Sequence, residues 1–282
     1  MATFQNFAKL SYNGGSTLSN LVTGEIVEAL QMTKTAVRQT YVPGEEITYV
    51  VSIVNTGTES FSGLTLTDDL GAYTVCGGTV TPLTYEPDSL LYLIDGVIQA
   101  SPVVTVGPPL TVTGITVPAE GSVQLVYTVE ANEYAPLCGM VGIVNTATLS
   151  QGGLAAPVTA CETVFPANGV NLTISKFVSP DTVTENGTLT YTFVIANYGA
   201  AAADAAENLS VSDTFDPVLK DIAVTLGSTV LQLGEYSYNV QTGLFVTVPG
   251  VITVPEATFL QDETGVWTTT PGTVTLTVSG TV

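Results

Sequence analysis

The chain has 282 residues, of which 45% are hydrophobic and 11% charged, so it can form sizeable cores and is not a disordered acidic tail. Five Lys and Arg residues against 25 Asp and Glu residues give a net charge of −20, which excludes a basic nucleic-acid surface and docking to anionic lipid. Histidine is absent, which removes the commonest general base and metal ligand, so we expect neither an enzyme nor a bound cofactor or metal.

The chain begins with a segment in which apolar and polar side chains alternate. FQNFAKLSYNGG (4–15) is followed by LVTGEIV (21–27), and two short strands around Gly14-Gly15 are typical of a β-hairpin. We refer to residues 1–28 as the N-terminal hairpin. Its candidate contact residues, chosen by comparison with a later segment, are Phe4, Asn6, Ala8, Leu10, Tyr12, Leu21, Val22 and Ile26.

One sequence pattern occurs twice, at residues 34–70 and 176–215. In both copies a lysine precedes a tyrosine by 15 positions, as Lys34 precedes Tyr49 and Lys176 precedes Tyr191. Each copy then continues with Asn-x-Gly and with LTLTD or LSVSD. The chain is therefore a tandem repeat.

Both copies have the two-residue period of β-strands, in ITYVVSIVN and in LTYTFVIAN. Tyr49 and Tyr191 lie on the apolar face of these strands, which favours core positions over a sugar-binding surface. Asn-x-Gly turns the chain after each strand. Repeated short strands without sustained helical periodicity predict an all-β fold of two tandem immunoglobulin-like β-sandwiches, preceded by an N-terminal donor β-hairpin.

The order of these motifs also resembles a known family. Lys, then Pro-Gly-Glu, then Thr-Tyr, Asn-x-Gly and Leu-x-Leu-x-Asp is similar to a tandem repeat domain of bacterial surface proteins, the domain of unknown function eleven type. The first copy matches from Lys34 to Asp68, whereas the second has Glu185-Asn186-Gly187 in place of Pro-Gly-Glu, shifted by one position. The resemblance implies a scaffold of stalks and fibres and no catalytic residues.

The two copies end differently. In the first, GSVQLVYTVEA (121–131) precedes a second predicted hairpin, with strands around 143–150 and 157–164 and a turn at Gly152-Gly153. In the second, GTVTLTVSGTV (272–282) matches 121–131, and no such hairpin follows it. We therefore expect three parts: the N-terminal donor hairpin (1–28), a complete first sandwich (29–165) and a second sandwich that lacks its last hairpin (166–282).

The N-terminal hairpin resembles the hairpin that the second copy lacks. Phe4, Asn6, Ala8 and Leu10 correspond to Ile143, Asn145, Ala147 and Leu149. A sandwich without two of its strands exposes core side chains and unpaired edge groups, which a matching hairpin from another molecule can cover. The sequence thus predicts that the hairpin of one subunit completes the second sandwich of its neighbour.

The predicted function is that of a structural, non-enzymatic subunit of a bacterial extracellular fibre, either a pilus or a spore appendage, on the cell or spore surface. Its predicted partner is the chain itself, head to tail, without nucleic acid or membrane insertion, and any anchoring or tip protein is left open. No secretory leader is recognised, which favours a spore appendage released by lysis. The alternative is a monomeric adhesin or ligand-binding module whose hairpin closes its own second sandwich.

Two further groups of side chains leave alternatives open. Cys76, Cys138 and Cys161 show no CxxC spacing, and one disulfide with a spare thiol, three buried thiols or a bond to another chain all fit. Asp68-Asp69 and Asp213 stand at predicted strand ends, where carboxylates bind turn amides more often than calcium.

Overall fold

A computed structural model describes residues 2–26, 29–139 and 141–282, with the backbone alone for residues 2, 3, 25 and 26. The chain is all-β, as predicted, and its two sandwiches follow one another in sequence. Among the described residues, the only helical segment is a 3-10 turn at Ala205–Glu207, whose N-cap Asp204 accepts from the Ala206 N–H. None of this described part could therefore cross a membrane as a helix.

The N-terminal hairpin is a pair of strands interrupted by a change of register. Its four strands are β1 (Ala2–Asn6), β2 (Lys9–Tyr12), β3 (Gly15–Leu18) and β4 (Val22–Ile26). β1 pairs with β4 and β2 with β3, both antiparallel. The turn is Asn13-Gly14, with Gly14 at a φ of 120°, so the prediction of a Gly14-Gly15 turn was wrong by one residue. Asn followed by Gly suits a tight turn because both residues tolerate positive φ.

The first sandwich, which we call the first unit, contains two sheets of six strands each and one separate pair of strands. The strands are β5 (Leu30–Ala36), β6 (Thr40–Tyr41), β7 (Glu46–Asn55), β8 (Phe61–Asp68), β9 (Tyr73–Val75), β10 (Gly78–Val80), β11 (Leu83–Tyr85), β12 (Leu91–Ile94), β13 (Val97–Ile98), β14 (Val103–Thr105), β15 (Leu110–Val117), β16 (Ser122–Ala131), β17 (Ile143–Gln151) and β18 (Val158–Pro166). One sheet has the order β13-β12-β16-β7-β5, with β11 also pairing with β16, and the other has the order β14-β15-β8-β17-β18-β6. β9 and β10 pair only with each other.

The second sandwich, the second unit, is smaller. The strands are β19 (Leu172–Ser179), β20 (Thr188–Asn197), β21 (Ser212–Thr214), β22 (Lys220–Leu226), β23 (Thr229–Val230), β24 (Tyr236–Tyr238), β25 (Leu244–Thr247), β26 (Thr258–Gln261), β27 (Trp267–Thr270) and β28 (Gly272–Thr281). A five-stranded sheet has the order β19-β20-β28-β22-β23, and it faces a three-stranded sheet of order β21-β25-β24.

Each unit has its own hydrophobic core, built from the inward face of its strands. Along β7 buried and half-buried side chains alternate, and β20 shows the same alternation over most of its length. Tyr49 is completely buried and Tyr191 nearly so, which confirms both as core residues. The Tyr191 ring stacks on Phe215 with ring centroids 4.7 Å apart. The period of two in the sequence therefore locates both cores correctly.

A hairpin of the second unit contacts the first unit. β26 and β27 pair with each other, and the Trp267 N–H donates to the Glu133 carbonyl over 3.0 Å. The Gln261 side-chain amide donates to the Tyr73 hydroxyl over 2.8 Å. These hydrogen bonds connect the two units at a second place, in addition to the chain between β18 and β19.

The first unit packs closely against β17 at Gly71. Its φ is +71°, and a Cβ there would lie 2.3 Å from Ile143 Cγ2. Gly77 also has a positive φ, +85°, but no heavy atom lies within 4 Å of its Cβ position. We expect Gly77→Ala to lower the free energy of unfolding by about 1–2 kcal/mol through backbone strain alone. Gly71→Ala should cost clearly more, and equal losses in urea titrations would contradict this packing.

Candidate assembly site

The first unit shows how a complete copy covers one edge of its sandwich. β17 pairs antiparallel with β8, so that Ala147 lies opposite Asp68 and Leu149 opposite Leu66. The inward-facing side chains of β17 are all buried, and they are Ile143, Asn145, Ala147 and Leu149. The hairpin β17–β18 therefore supplies both backbone partners for the β8 edge and side chains for the core.

The same hairpin also covers the neighbouring strand of the opposite sheet. β18 pairs with β17 and lies beside β5. On β5 the alternate residues Leu30, Met32 and Lys34 are buried. β18 therefore lies over the edge of the sandwich at which these side chains, including a lysine, are buried.

The second unit lacks this cover within the described residues. β21 is the counterpart of β8, and it pairs with β25 on one side and with no strand on the other. β19 is the counterpart of β5, and almost all of its side chains are exposed. Ile174 is 55% exposed and Phe177 58%, whereas Met32, the counterpart of Ile174, is 9% exposed. The second unit thus has an open strand edge beside an exposed apolar strand.

An ion pair occupies the same place in both units. Lys34 Nζ lies 2.5 Å from Asp68 Oδ2, and Lys176 Nζ pairs with Asp213 Oδ2. The first pair is buried, with side chains 0% and 1% exposed, whereas the side chains of the second pair are 43% and 19% exposed. The same ion pair is therefore buried in the first unit and open to solvent in the second.

Aromatic rings also flank both lysines. The Lys34 ammonium lies 4.8 Å from the Tyr49 ring centroid, and the Lys176 ammonium lies 4.7 Å from the Tyr191 ring centroid. Each position attracts a cation toward the ring face. The two units therefore share both the ion pair and the tyrosine ring beside its lysine.

Burial changes the acid–base properties of the first pair. It lowers the pKa of Lys34 from its ordinary value, although the attraction of Asp68 opposes the change. The Tyr127 hydroxyl donates to Asp68, and burial together with that carboxylate holds the pKa of Tyr127 well above its usual range. Deprotonation of this lysine to the neutral amine therefore costs less free energy than it would at the protein surface.

Asn145 brings a primary amide into the same buried cluster. It is fully buried, and neither Asn145 Oδ1 nor Asn145 Nδ2 has a hydrogen-bond partner of ordinary geometry among the described residues. Burial raises the pKa of Tyr49, and the neighbouring Asn145 amide opposes that shift. An unpaired buried polar group costs about 1–3 kcal/mol, so its presence in a well-packed core needs a reason.

The candidate contact residues of the N-terminal hairpin do not touch this site within one chain. Phe4, Asn6, Ala8, Leu10, Tyr12, Leu21 and Val22 are all exposed, while the side chain of Ile26 lies outside the described part of the structure. Within the described residues, every hydrogen bond of the hairpin is internal to it. Self-closure of the second unit by its own hairpin is not adopted in this structure.

The structure also locates the three cysteines and the acidic side chains at the strand ends. Cys76 and Cys161 are exposed and Cys138 is half-buried, and all three are free thiols, so the option of three buried thiols was wrong. Asp69 accepts from the Gly71 N–H over 2.9 Å and from the Thr146 N–H over 2.8 Å, as expected for an acid at a strand end. Over the described ranges, no cluster of three or more metal-ligating side chains occurs.

Sequence reasoning found the lysines as markers of the repeat but missed their pairing with Asp68 and Asp213. The signal was present, because Lys34 and Lys176 stand at the same position relative to the tyrosine strand in both copies. Each Asp likewise ends the same Leu-x-Leu/Val-x-Asp motif. A cation and a carboxylate repeated together indicate a shared interior pair, which the spacing alone did not bring into contact.

Comparisons with known proteins found solved structures of similar fold but no matching protein family. No family model and no curated protein matches the chain. The structure is similar to the major pilin BcpA of Bacillus cereus, with 15% identity over 96% of this chain and 73% of that chain at a TM-score of 0.38. It is also similar to the full-length major pilin RrgB of Streptococcus pneumoniae, with 10% identity over 89% and 44% of the two chains at 0.37. A C-terminal fragment of the major pilin GBS80 of Streptococcus agalactiae matches with 13% identity over 88% and 91% at 0.36.

These scores are too low to carry a functional argument, which rests instead on the residues of this chain. The resemblance to the bacterial surface repeat domain stays a prediction, since no family model confirms it.

The equivalent leucines of the two hairpins should respond differently to truncation. Leu149 is completely buried, whereas Leu10 is 64% exposed. In the unassembled protein we expect Leu149→Ala to lower the free energy of unfolding of the first unit by about 2–5 kcal/mol. Leu10→Ala should change it by less than about 0.5 kcal/mol. Urea titration of dilute protein measures both, and a large loss for Leu10→Ala would show that the hairpin is already packed within its own chain.

Proposed function

We propose that this protein is a structural subunit of a bacterial extracellular fibre, a pilus or a spore appendage. Subunits assemble head to tail, and the N-terminal hairpin of one subunit completes the second sandwich of its neighbour. The observation that carries the proposal is the pair of copies in one chain. The first unit holds a hairpin on its β8 edge, and no strand of the described residues pairs with the equivalent edge of β21 in the second unit.

The first unit supplies a template for the proposed joint. Ala147 lies opposite Asp68, so Ala8 of a neighbour would lie opposite Asp213. Leu10 would then occupy the position of Leu149, and Phe4 that of Ile143, both of which are buried in the first unit. Residues 21–26 would return along β19 and cover Ile174, as β18 covers β5.

The joint would grow into a fibre because its two surfaces differ. A contact between unlike surfaces is heterologous, and it continues from subunit to subunit unless the rotation closes a ring. Donor strands in such a joint gain backbone hydrogen bonds as well as pockets for alternate side chains. The partner is therefore a second copy of the same chain.

The proposed joint is strong by the usual magnitudes. Each apolar side chain that becomes fully buried contributes about 1.5–3 kcal/mol. Each new ladder hydrogen bond adds about 0.5–1.5 kcal/mol net. The net charge of −20 opposes association only weakly, because charges further apart than about 8 Å are screened at physiological salt.

The remaining assignments are part of the same proposal. We infer three parts, with the donor hairpin at 1–28, the complete sandwich at 29–165 and the acceptor sandwich at 166–282. The fibre is extracellular and has no catalytic role, and its surface is acidic and rich in hydroxyl groups. Such a surface keeps the polymer soluble and disfavours non-specific association.

Adjacent residues of β2 provide a matched test. Leu10 corresponds to the buried Leu149, and Ser11 corresponds to the half-buried Ser150. Leu10→Glu and Ser11→Glu add the same charge, but only the first places it in the core of the neighbour. We expect the parent and Ser11→Glu to form long fibres under the electron microscope. Leu10→Glu and a chain lacking residues 1–28 should elute as monomers in size-exclusion chromatography.

Two results would contradict the proposal. If Leu10→Glu and the truncated chain polymerise as well as the parent, the hairpin is not the donor. If the parent remains a monomer at every concentration, the adhesin or ligand-binding alternative takes its place.

A further inference from the structure

Both sheets of the first unit end, on the side away from the hairpin β17–β18, in a strand with a single partner. Among the described residues β13 pairs only with β12, and β14 pairs only with β15. Residues 99–102 connect β13 to β14, so these two strands are successive in the chain. We call β12, β13, β14 and the residue that follows β14, Val106, the lateral edge. The outward N–H and C=O groups of its end strands are available to another strand.

The lateral edge carries large apolar side chains on its exterior. Ile98 is 65% exposed and Val103 69%, and Leu91, Val97 and Val106 are exposed as well. Single apolar residues are normal at a protein surface, but these five occupy successive strands at one side of the sandwich. A cluster of this kind indicates a contact surface.

Charge is nearly absent from this part of the chain. Residues 89–119 contain one charged side chain, Asp95, although the whole chain has 25 Asp and Glu residues. Asp95 stands in the turn between β12 and β13, where it accepts from the Ser122 N–H over 2.7 Å. Natural proteins commonly protect an edge strand from pairing by placing charged side chains on it. The lateral edge lacks that protection.

The second unit has the same property on the same side. Its two main sheets end in β23 and β24, away from β19 and from the open edge of β21. Residues 222–255 contain one charged side chain, Glu235, which accepts from the Gln232 N–H over 2.7 Å. Val230 and Leu233 are exposed there. Both copies therefore lack charge on the side away from the edge that the proposed strand addition uses.

We propose that fibres of this protein associate side by side, and that the lateral edge binds the lateral edge of a second copy in a neighbouring fibre. This inference rests on the proposed function, because it assigns a further contact to the same polymer. It does not involve the N-terminal hairpin or the surface that accepts it.

The charge of the chain favours a second copy as the occupant. Two copies with a net charge of −20 repel one another where their acidic surfaces meet, and at the lateral edge they approach without bringing such surfaces together. Acids further than about 8 Å from the contact are screened at physiological salt. A basic partner would instead be attracted to the acidic surfaces.

Two lateral edges fit one another through symmetry. A two-fold axis brings the same groups of both copies together, so β14 can pair antiparallel with β14 of the neighbour. Ile98 and Val103 would then be removed from water. Because β13 and β14 have only two and three residues, a single contact is weak. In a fibre the contact recurs at every subunit, and linked weak contacts bind much more tightly than one alone.

Two exposed valines provide a matched test. Val103 lies on the lateral edge, whereas Val54 is 43% exposed on β7, between β16 and β5. Val103→Glu and Val54→Glu add the same charge, so they raise the general repulsion between fibres equally. At physiological salt we expect the parent and Val54→Glu to form bundles of fibres under the electron microscope. Val103→Glu should form single fibres, and the fraction that sediments at low speed should fall by about tenfold or more, because the loss recurs along the fibre.

Salt provides a second measurement on the parent. At about 0.01 M salt the screening length rises to about 30 Å, so acids that flank the lateral edges repel across the contact. We expect bundles to separate into single fibres on dialysis to low salt and to form again at physiological salt. Bundles that hold at low salt and separate at high salt would indicate attraction between charges, which contradicts an apolar contact.

The outcomes distinguish the lateral contact from strand addition. If Val103→Glu bundles as fully as the parent, if Val54→Glu loses its bundles too, or if parent fibres stay single, the lateral contact is wrong while strand addition stands. Fibres of Val103→Glu would themselves show that this variant folds and keeps the head-to-tail joint. If the parent forms no fibres, strand addition is wrong and the lateral contact fails with it.

Discussion

The edge strand of a sandwich needs a partner, and in this chain the pairing of that edge decides which neighbouring side chains are buried. Where β17 pairs with β8, the inward side chains of β5 are buried and the Lys34–Asp68 pair is dry. Where β21 has no second partner among the described residues, β19 is exposed and the Lys176–Asp213 pair is reached by solvent. In the part of the chain that the structure describes, an open edge, an apolar surface and a hydrated ion pair therefore occur together in the second unit. An exposed edge with apolar neighbours invites another strand, and folded proteins seldom leave one uncovered without a use for it.

Much of this architecture follows from the sequence because local periodicity and internal repetition are strong signals. Alternation along residues 46–55 and 188–197 identifies the two cores, and the repeat shows that the copies share one fold. The sequence could not bring Lys34 to Asp68, because that contact depends on how the two sheets face one another. It also missed the hairpin β26–β27, whose hydrogen bonds to Tyr73 and Glu133 cross between the units. Contacts between distant segments arise from packing, which leaves little trace in local spacing.

The scarcity of basic residues gives each lysine and arginine unusual weight. Of the five, Lys34 and Lys176 pair with the carboxylates of the two sandwiches, and Arg38 pairs with Glu45. A buried ion pair adds little to stability by itself, since desolvation offsets most of the attraction. Its retention in both copies fits a chemical or specifying role better than a stabilising one.

The position of the hairpin in the chain also has a consequence for biosynthesis. A ribosome makes residues 2–26 long before it makes β28, the strand that lies between β20 and β22 in the five-stranded sheet. Under the proposed assembly, a nascent chain carries its donor hairpin before its own acceptor sheet exists. Only a chain translated through β28 could then accept a hairpin, so two unfinished chains could not join one another.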